Sequence, residues 1–112
     1  MTVKANFVQR GDSIDHTPGS AVAAGDVVVL GAALLGIAKL DIPANTLGAL
    51  AVVGVFDVVK ASGDGGIAAG AAVYWDDTAK VATTTSAANT LMGKALAAAG
   101  DTDTSVRVRL SQ

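Results

Sequence analysis

The stretch that most constrains the fold runs Ala69-Gly70-Ala71-Ala72-Val73-Tyr74-Trp75-Asp76-Asp77-Thr78-Ala79-Lys80-Val81-Ala82-Thr83-Thr84 and holds the only Trp and the only Tyr of the chain. It reads as two short strands joined by a polar turn. Side chains of an extended chain alternate with period two, so Val73 and Trp75 face one side and Tyr74 the other. Asp76 to Lys80 supplies turn formers and charge at the reversal, and Val81 and Thr83 resume the alternation. An earlier segment has the same grammar. Ala24-Gly25-Asp26 leads into Val27-Val28-Val29-Leu30 as Ala69-Gly70-Ala71 leads into Ala72-Val73-Tyr74-Trp75. Each is followed, after a loop, by a matching strand: Leu34 to Ala38 in the first and Leu91 to Ala95 in the second. Because the second loop is longer, the sequence supports a weak repeat, or only a recurring way of building a hairpin.

The rest of the chain keeps the strand period. Val3, Ala5 and Phe7 alternate with Lys4 and Asn6, and Ser13 to Thr17 alternates again with Ile14 inward until Pro18-Gly19 stops it. Residues 1–17 are therefore expected to form an N-terminal strand or hairpin that can serve as an arm. Val27 to Leu30 reads as a strand buried on both faces or at an interface. Pro43 and Asn45 break the pattern over Leu40 to Thr46. Leu47 to Lys60 is the most β-branched segment, with Gly54 marking a bulge or a bend between two strands. Leu91 to Ala99 has high helix propensity, but Gly93 and the parallel with Leu34 to Ala38 favour strand. Val106, Val108 and Leu110, alternating with Arg107 and Arg109, close the sheet. The expectation is a single all-β domain over residues 1–112, a small antiparallel sandwich or barrel of roughly eight to ten short strands.

Hydrophobic residues make up 51% of the chain but aromatics only 4%, so the apolar content is largely Ala and Val. Small side chains remove little area from water, at about 25 cal/mol per Å2, and a 112-residue chain built this way is expected to gain stability as a homo-oligomer. A net charge of −2 and a pI near 5.0 argue against a nucleic-acid partner, which needs a concentrated basic surface. Without cysteine there are no disulfides or thiolate metal sites. The N-terminal residues lack the apolar core of a signal peptide, and the uncharged runs fall short of the ~20 apolar residues of a membrane span. A soluble protein made in a cytoplasm, with no membrane partner, is expected.

Little in the sequence suggests catalysis. His16 is the only histidine, so a hydrolase or lyase would have to use it with Asp12 or Asp15; a strand-end histidine beside Pro18 explains it more simply. Asp12, Asp15 and Asp26 match no calcium loop, and aspartates beside glycines are usually turn formers. Asp76-Asp77 are consecutive in a turn and point apart. Gly63-Asp64-Gly65-Gly66 is not a phosphate loop, and Gly93-Lys94 is followed by Ala95 where such a loop needs Ser or Thr. No catalytic residue, cofactor or metal is expected. Trp75 has two readings, a core plug or an interface anchor. Arg107 and Arg109 share one face of the last strand, solvated or set against an acidic partner or a neighbouring subunit.

Several short motifs, in order and at characteristic spacing, also carry a family likeness. They are Phe7-Val8-Gln9-Arg10-Gly11-Asp12-Ser13-Ile14, Ala24-Gly25-Asp26-Val27-Val28, Val55-Phe56-Asp57-Val58, Gly70 with Val73-Tyr74-Trp75-Asp76, Lys80-Val81 with Thr83-Thr84, Leu91-Met92-Gly93 and Val106-Arg107-Val108-Arg109-Leu110. Together they make the chain resemble the small capsid cement, or head decoration, proteins of tailed phages of the DUF2190 type. That resemblance implies a non-enzymatic virion protein, made in the host bacterial cytoplasm. It would bind the outside of an icosahedral head, as trimers, and lock major capsid subunits against packaged DNA. The candidates for contact with capsid or sister subunits are Val3, Ala5, Phe7, Trp75, Arg107 and Arg109. The alternative is another phage β module, a tail or fibre component.

Overall fold

The computed structural model describes residues 5–7, 11–31, 33–63 and 65–111, and these form nine strands in two antiparallel sheets. The first sheet contains β1 (Ser13–His16), β2 (Val27–Val29), β3 (Leu35–Ala38) and β4 (Gly48–Ala51) in the order β1-β4-β3-β2. The second contains β5 (Gly54–Val59), β6 (Ala72–Asp76), β7 (Val81–Thr83), β8 (Thr90–Ala95) and β9 (Ser105–Leu110) in the order β5-β9-β8-β6-β7. No helix occurs among the described residues. The all-β, sandwich-like architecture expected from the alternation is the one the chain adopts.

Setting β7 aside, the two sheets follow one plan. β1, β2, β3 and β4 correspond in order and pairing to β5, β6, β8 and β9. Hydrogen bonds repeat with the topology. Gly25 N–H donates to the Ala38 carbonyl at 2.6 Å, and Gly70 N–H to that of Ala95 at 2.7 Å. Ala38 N–H donates to Asp26 and Ala95 N–H to Ala71, both at 3.0 Å. An outlying bridge joins Val22 to Ile42 in the first copy and Ile67 to Ala99 in the second. Gly36 and Gly93, opposite Val28 and Val73, are both buried. What the sequence offers as a weak repeat of a hairpin is thus a repeat of a four-stranded unit. β7 is an addition to the second copy, and it is the aromatic hairpin β6–β7 that the Asp76–Lys80 turn closes.

Gly54, with φ of +129°, lies where the chain leaves β4 and enters β5, so the bend expected there carries the backbone from one sheet to the other. β8 resolves the competition between helix and strand. Met92 and Ala95 are buried while Lys94 between them is exposed. At Gly93 an added Cβ would overlap the Arg109 carbonyl oxygen on β9, so only glycine allows this strand pair to lie this close.

The main core straddles the sheets. Leu35 and Ile37 from the first pack with Val58, Val73, Trp75, Met92, Val108 and Leu110 from the second. A smaller cluster of Ala38, Ile42 and Leu50, with Ile14, Val22, Val28 and Leu30 against it, fills the other face of the first sheet. Every residue of β3 is buried as a result. β2 is half-buried along its length, less deeply placed than its run of valines suggests, because it is an edge strand.

The N-terminal expectation needs correction where it can be compared. Ser13–His16 is a strand, but its partner is β4. Ala5, Asn6 and Phe7 belong to no strand and are exposed, Phe7 at 85%. Alternation makes a half-buried strand only where a neighbouring strand supplies the hydrogen bonds and the cover, and among the described residues no strand pairs with these three. Val3 and the remainder of that expected strand lie outside the described residues.

Candidate interaction surface

The shared plan of the two sheets lets their faces be compared position by position. In the first sheet Val27 lies opposite Ile37, Ile37 opposite Ala51, and Ala51 opposite Ser13. The equivalent row of the second sheet is Ala72, Lys94, Arg109 and Val55. Side chains in one lateral row share a face. Ile37 and Ala51 are each 4% exposed, and Ile37 packs into the main core between the sheets. Lys94 and Arg109 are exposed to solvent. The face that the first copy covers, the second copy leaves open.

On this open face Arg107 is one row along from Arg109 and opposite Asp57. Its Nε donates to Asp57 Oδ1 at 2.9 Å, and a terminal guanidinium nitrogen donates to Oδ2 at 3.2 Å. The bond from Arg107 holds the Asp57 carboxyl below the usual carboxylate range and raises the guanidinium in turn. Arg107 is thereby neutralised in place. The side chains of Arg109 and Lys94 have no hydrogen bond or ion pair with any described residue. Val55 lies opposite Arg109, and Val59, Leu91 and Leu96 are further large apolar side chains left exposed in or just beyond this sheet. Sequence reasoning grouped Arg107 with Arg109 and overlooked Lys94, whose place beside Arg109 is set by pairing between distant strands.

Of the two readings of Trp75, the structure gives the core. It is 5% exposed, and its indole N–H donates to Asp77 at 3.1 Å. It also lines a cleft of about 700 Å3 together with residues of β2 and β5. The charged groups at that cleft are already engaged. Asp57 holds Arg107, and Asp77 accepts from Lys80 at 2.8 Å as well as from Trp75. Those two bonds hold the Asp77 carboxyl below its ordinary pKa.

Of the pairs weighed for catalysis, the structure separates His16 from Asp15. Asp15 and His16 are successive residues of β1 and so project to opposite faces. No group of three His, Cys, Asp or Glu residues suited to a metal occurs among the described residues. The aspartates cap turns instead: Asp26 accepts from Ala23 N–H, Asp41 from Ala24, Asp101 from Gly65 and Asp103 from Gly100.

A family model described as phage cement protein matches residues 8–110, nearly the whole chain. The chain belongs to the phage cement protein family. No curated protein and no solved structure matches it. Family membership gives it a structural, capsid-associated role and a place in the virion, and the open face of the second sheet becomes the first surface to consider for contact.

Proposed function

We propose that the protein binds the outer surface of an assembled phage head and holds neighbouring major capsid subunits together against the outward push of packaged DNA. The observation that carries this is the match to the cement family over residues 8–110. The surface supports it. Among the described residues nine large hydrophobic side chains are exposed, from Phe7 at 85% to Leu91 at 37%, and those beside Arg109 and Lys94 on the second sheet offer apolar area for contact with another protein. Association as a trimer at three-fold positions would cover part of that surface. It would also let several weak contacts act at high effective concentration. The N-terminal segment, with Ala5 to Phe7 exposed and unpaired, is a natural strand to add to an edge on the capsid protein.

The test is co-sedimentation of the purified protein with expanded, undecorated heads of its own phage, with its mass in solution measured by light scattering. Saturable binding, and heads that survive heat better than bare ones, are expected. Absence of binding at any concentration would overturn the cement role on that capsid. Removal of residues 2–8 should abolish head binding while leaving the folded oligomer; undiminished binding would exclude the arm.

A further inference from the structure

We infer that the row Lys94–Arg109, with Val55 and Leu96 beside it, is the capsid-facing contact, and that it takes carboxylate side chains of the shell protein. The inference rests on the cement reading above and adds the face and its chemistry.

Lys94 and Arg109 are directly opposite on β8 and β9, where side chains of neighbouring strands meet, and like charges so placed repel. A solvated pair of this kind is tolerable, but an acidic residue nearby would relieve it. The nearest candidate does not serve, because Asp57 already binds Arg107 through both oxygens. Elsewhere on the second sheet, Asp76 caps the β6–β7 turn by accepting from Thr78 and Ala79 N–H, and Asp77 holds Lys80. The two cations therefore stand ready for an acceptor supplied from outside.

The internal repeat makes the location informative. The equivalent residues Ile37 and Ala51 face the rest of the fold and are buried. This side of the unit is the one against which, in the first copy, other protein packs. In the second copy Val55 stands where the first has Ser13, Val55 and Leu96 are 53% and 49% exposed, and two cations replace Ile37 and Ala51 at the centre of the row. An apolar contact with charge at its middle suits a protein surface bearing Asp or Glu, with the carboxylates paired to Lys94 and Arg109 and the aliphatic groups excluding water around them. Nucleic acid fits poorly. Two free charges beside exposed valine and leucine, on a chain of net charge −2, give too sparse a footprint for a phosphate backbone.

The experiment compares three proteins for binding to undecorated heads across a salt series: the natural chain, the double variant Lys94→Glu/Arg109→Glu, and Lys39→Glu, which reverses an exposed cation outside this row. Trp75 emission and the urea midpoint confirm that each is folded. The natural chain should bind more weakly as salt rises. The double variant should lose at least tenfold in affinity and most of its salt dependence, and Lys39→Glu should bind as the natural chain does. Equal binding by the double variant and the natural chain would overturn the inference and leave the cement reading standing. Loss of the oligomer's mass in the double variant, with head binding per oligomer retained, would assign the face to sister subunits and also overturn it. If the natural chain itself fails to bind heads, both readings fall.

Discussion

At the scale of single residues, the chain's acidity is mostly structural. All ten acidic side chains are aspartate, the shorter carboxylate, which reaches backbone N–H groups within its own turn. Asp76 does this twice, accepting from Thr78 and Ala79 at 3.0 Å each. This is why a pI near 5.0 coexists with an open face of the second sheet whose free charge is positive. Asp57 and Asp77 go further, since both are held below the ordinary carboxylate pKa by hydrogen bonds from cations, and Asp77 also by the indole. A carboxyl depressed in the folded state contributes stability above its unfolded pKa of about 3.9 and loses that contribution as pH falls through the lower folded value. The loss is therefore confined to the acid side, below about pH 4. Asp77→Asn should flatten part of the acid limb of the urea midpoint while leaving it unchanged in slope near neutrality. In the natural protein Trp75 emission should titrate below pH ~4 as Asp77 takes up its proton, and that step should vanish in the variant. A Trp75 signal that titrates identically in both would show that the indole bond to Asp77 does not form in solution.

At the scale of elements, the local grammar was legible and the pairing was not. The alternation around Val73, Tyr74 and Trp75 gives the right faces, and the polar run after it gives the turn, because both are set by neighbours in sequence. The partner of β1, by contrast, lies beyond two intervening strands on β4, and no local pattern encodes it. The same limit hid Lys94. Its exposure is readable from the alternation of β8, but its position against Arg109 depends on the register of β8 with β9. The weak repeat seen in Gly25 and Gly70 turned out to be the best guide to the fold, since these glycines hold equivalent turns with φ of +92° and +81°. Both conformations disfavour any residue with a Cβ, yet the space around each is open. Gly25→Ala and Gly70→Ala should each cost about 1 kcal/mol from backbone conformation alone. Urea denaturation should show lowered midpoints with unchanged m-values for both. A loss at one site and none at the other would mean that the two turns are not equivalent.

At the scale of the whole molecule, the question is whether two copies of one unit behave as one body. The chain is more extended than its size requires. Its radius of gyration is 15.3 Å, against about 13 Å for a compact chain of this length. Its accessible surface is 6750 Å2, where roughly 5600 Å2 is usual for this mass. Such a shape leaves little margin within each sheet, so stability depends on what joins them. The small cluster around Leu50 serves the first sheet alone. The larger core takes Leu35 and Ile37 from the first sheet and Trp75, Val58 and Met92 from the second, and neither sheet can keep that core without the other. Unfolding should therefore be a single transition. Trp75, the sole tryptophan, reports on the second sheet, whereas far-ultraviolet circular dichroism reports on both. Ile37→Ala removes a side chain that is 4% exposed and should cost about 2–4 kcal/mol. Although the substitution lies in the first sheet, it should lower the midpoint of Trp75 emission and that of circular dichroism by the same amount. A Trp75 transition left in place while the dichroism splits in two would show that the second sheet stands alone. The first would then be an appendage hung from it at Gly54. The coincidence of the two midpoints matters for the proposed clamping of a shell: a load applied to the open face of the second sheet would reach the first through the core they share, so both copies would resist it together.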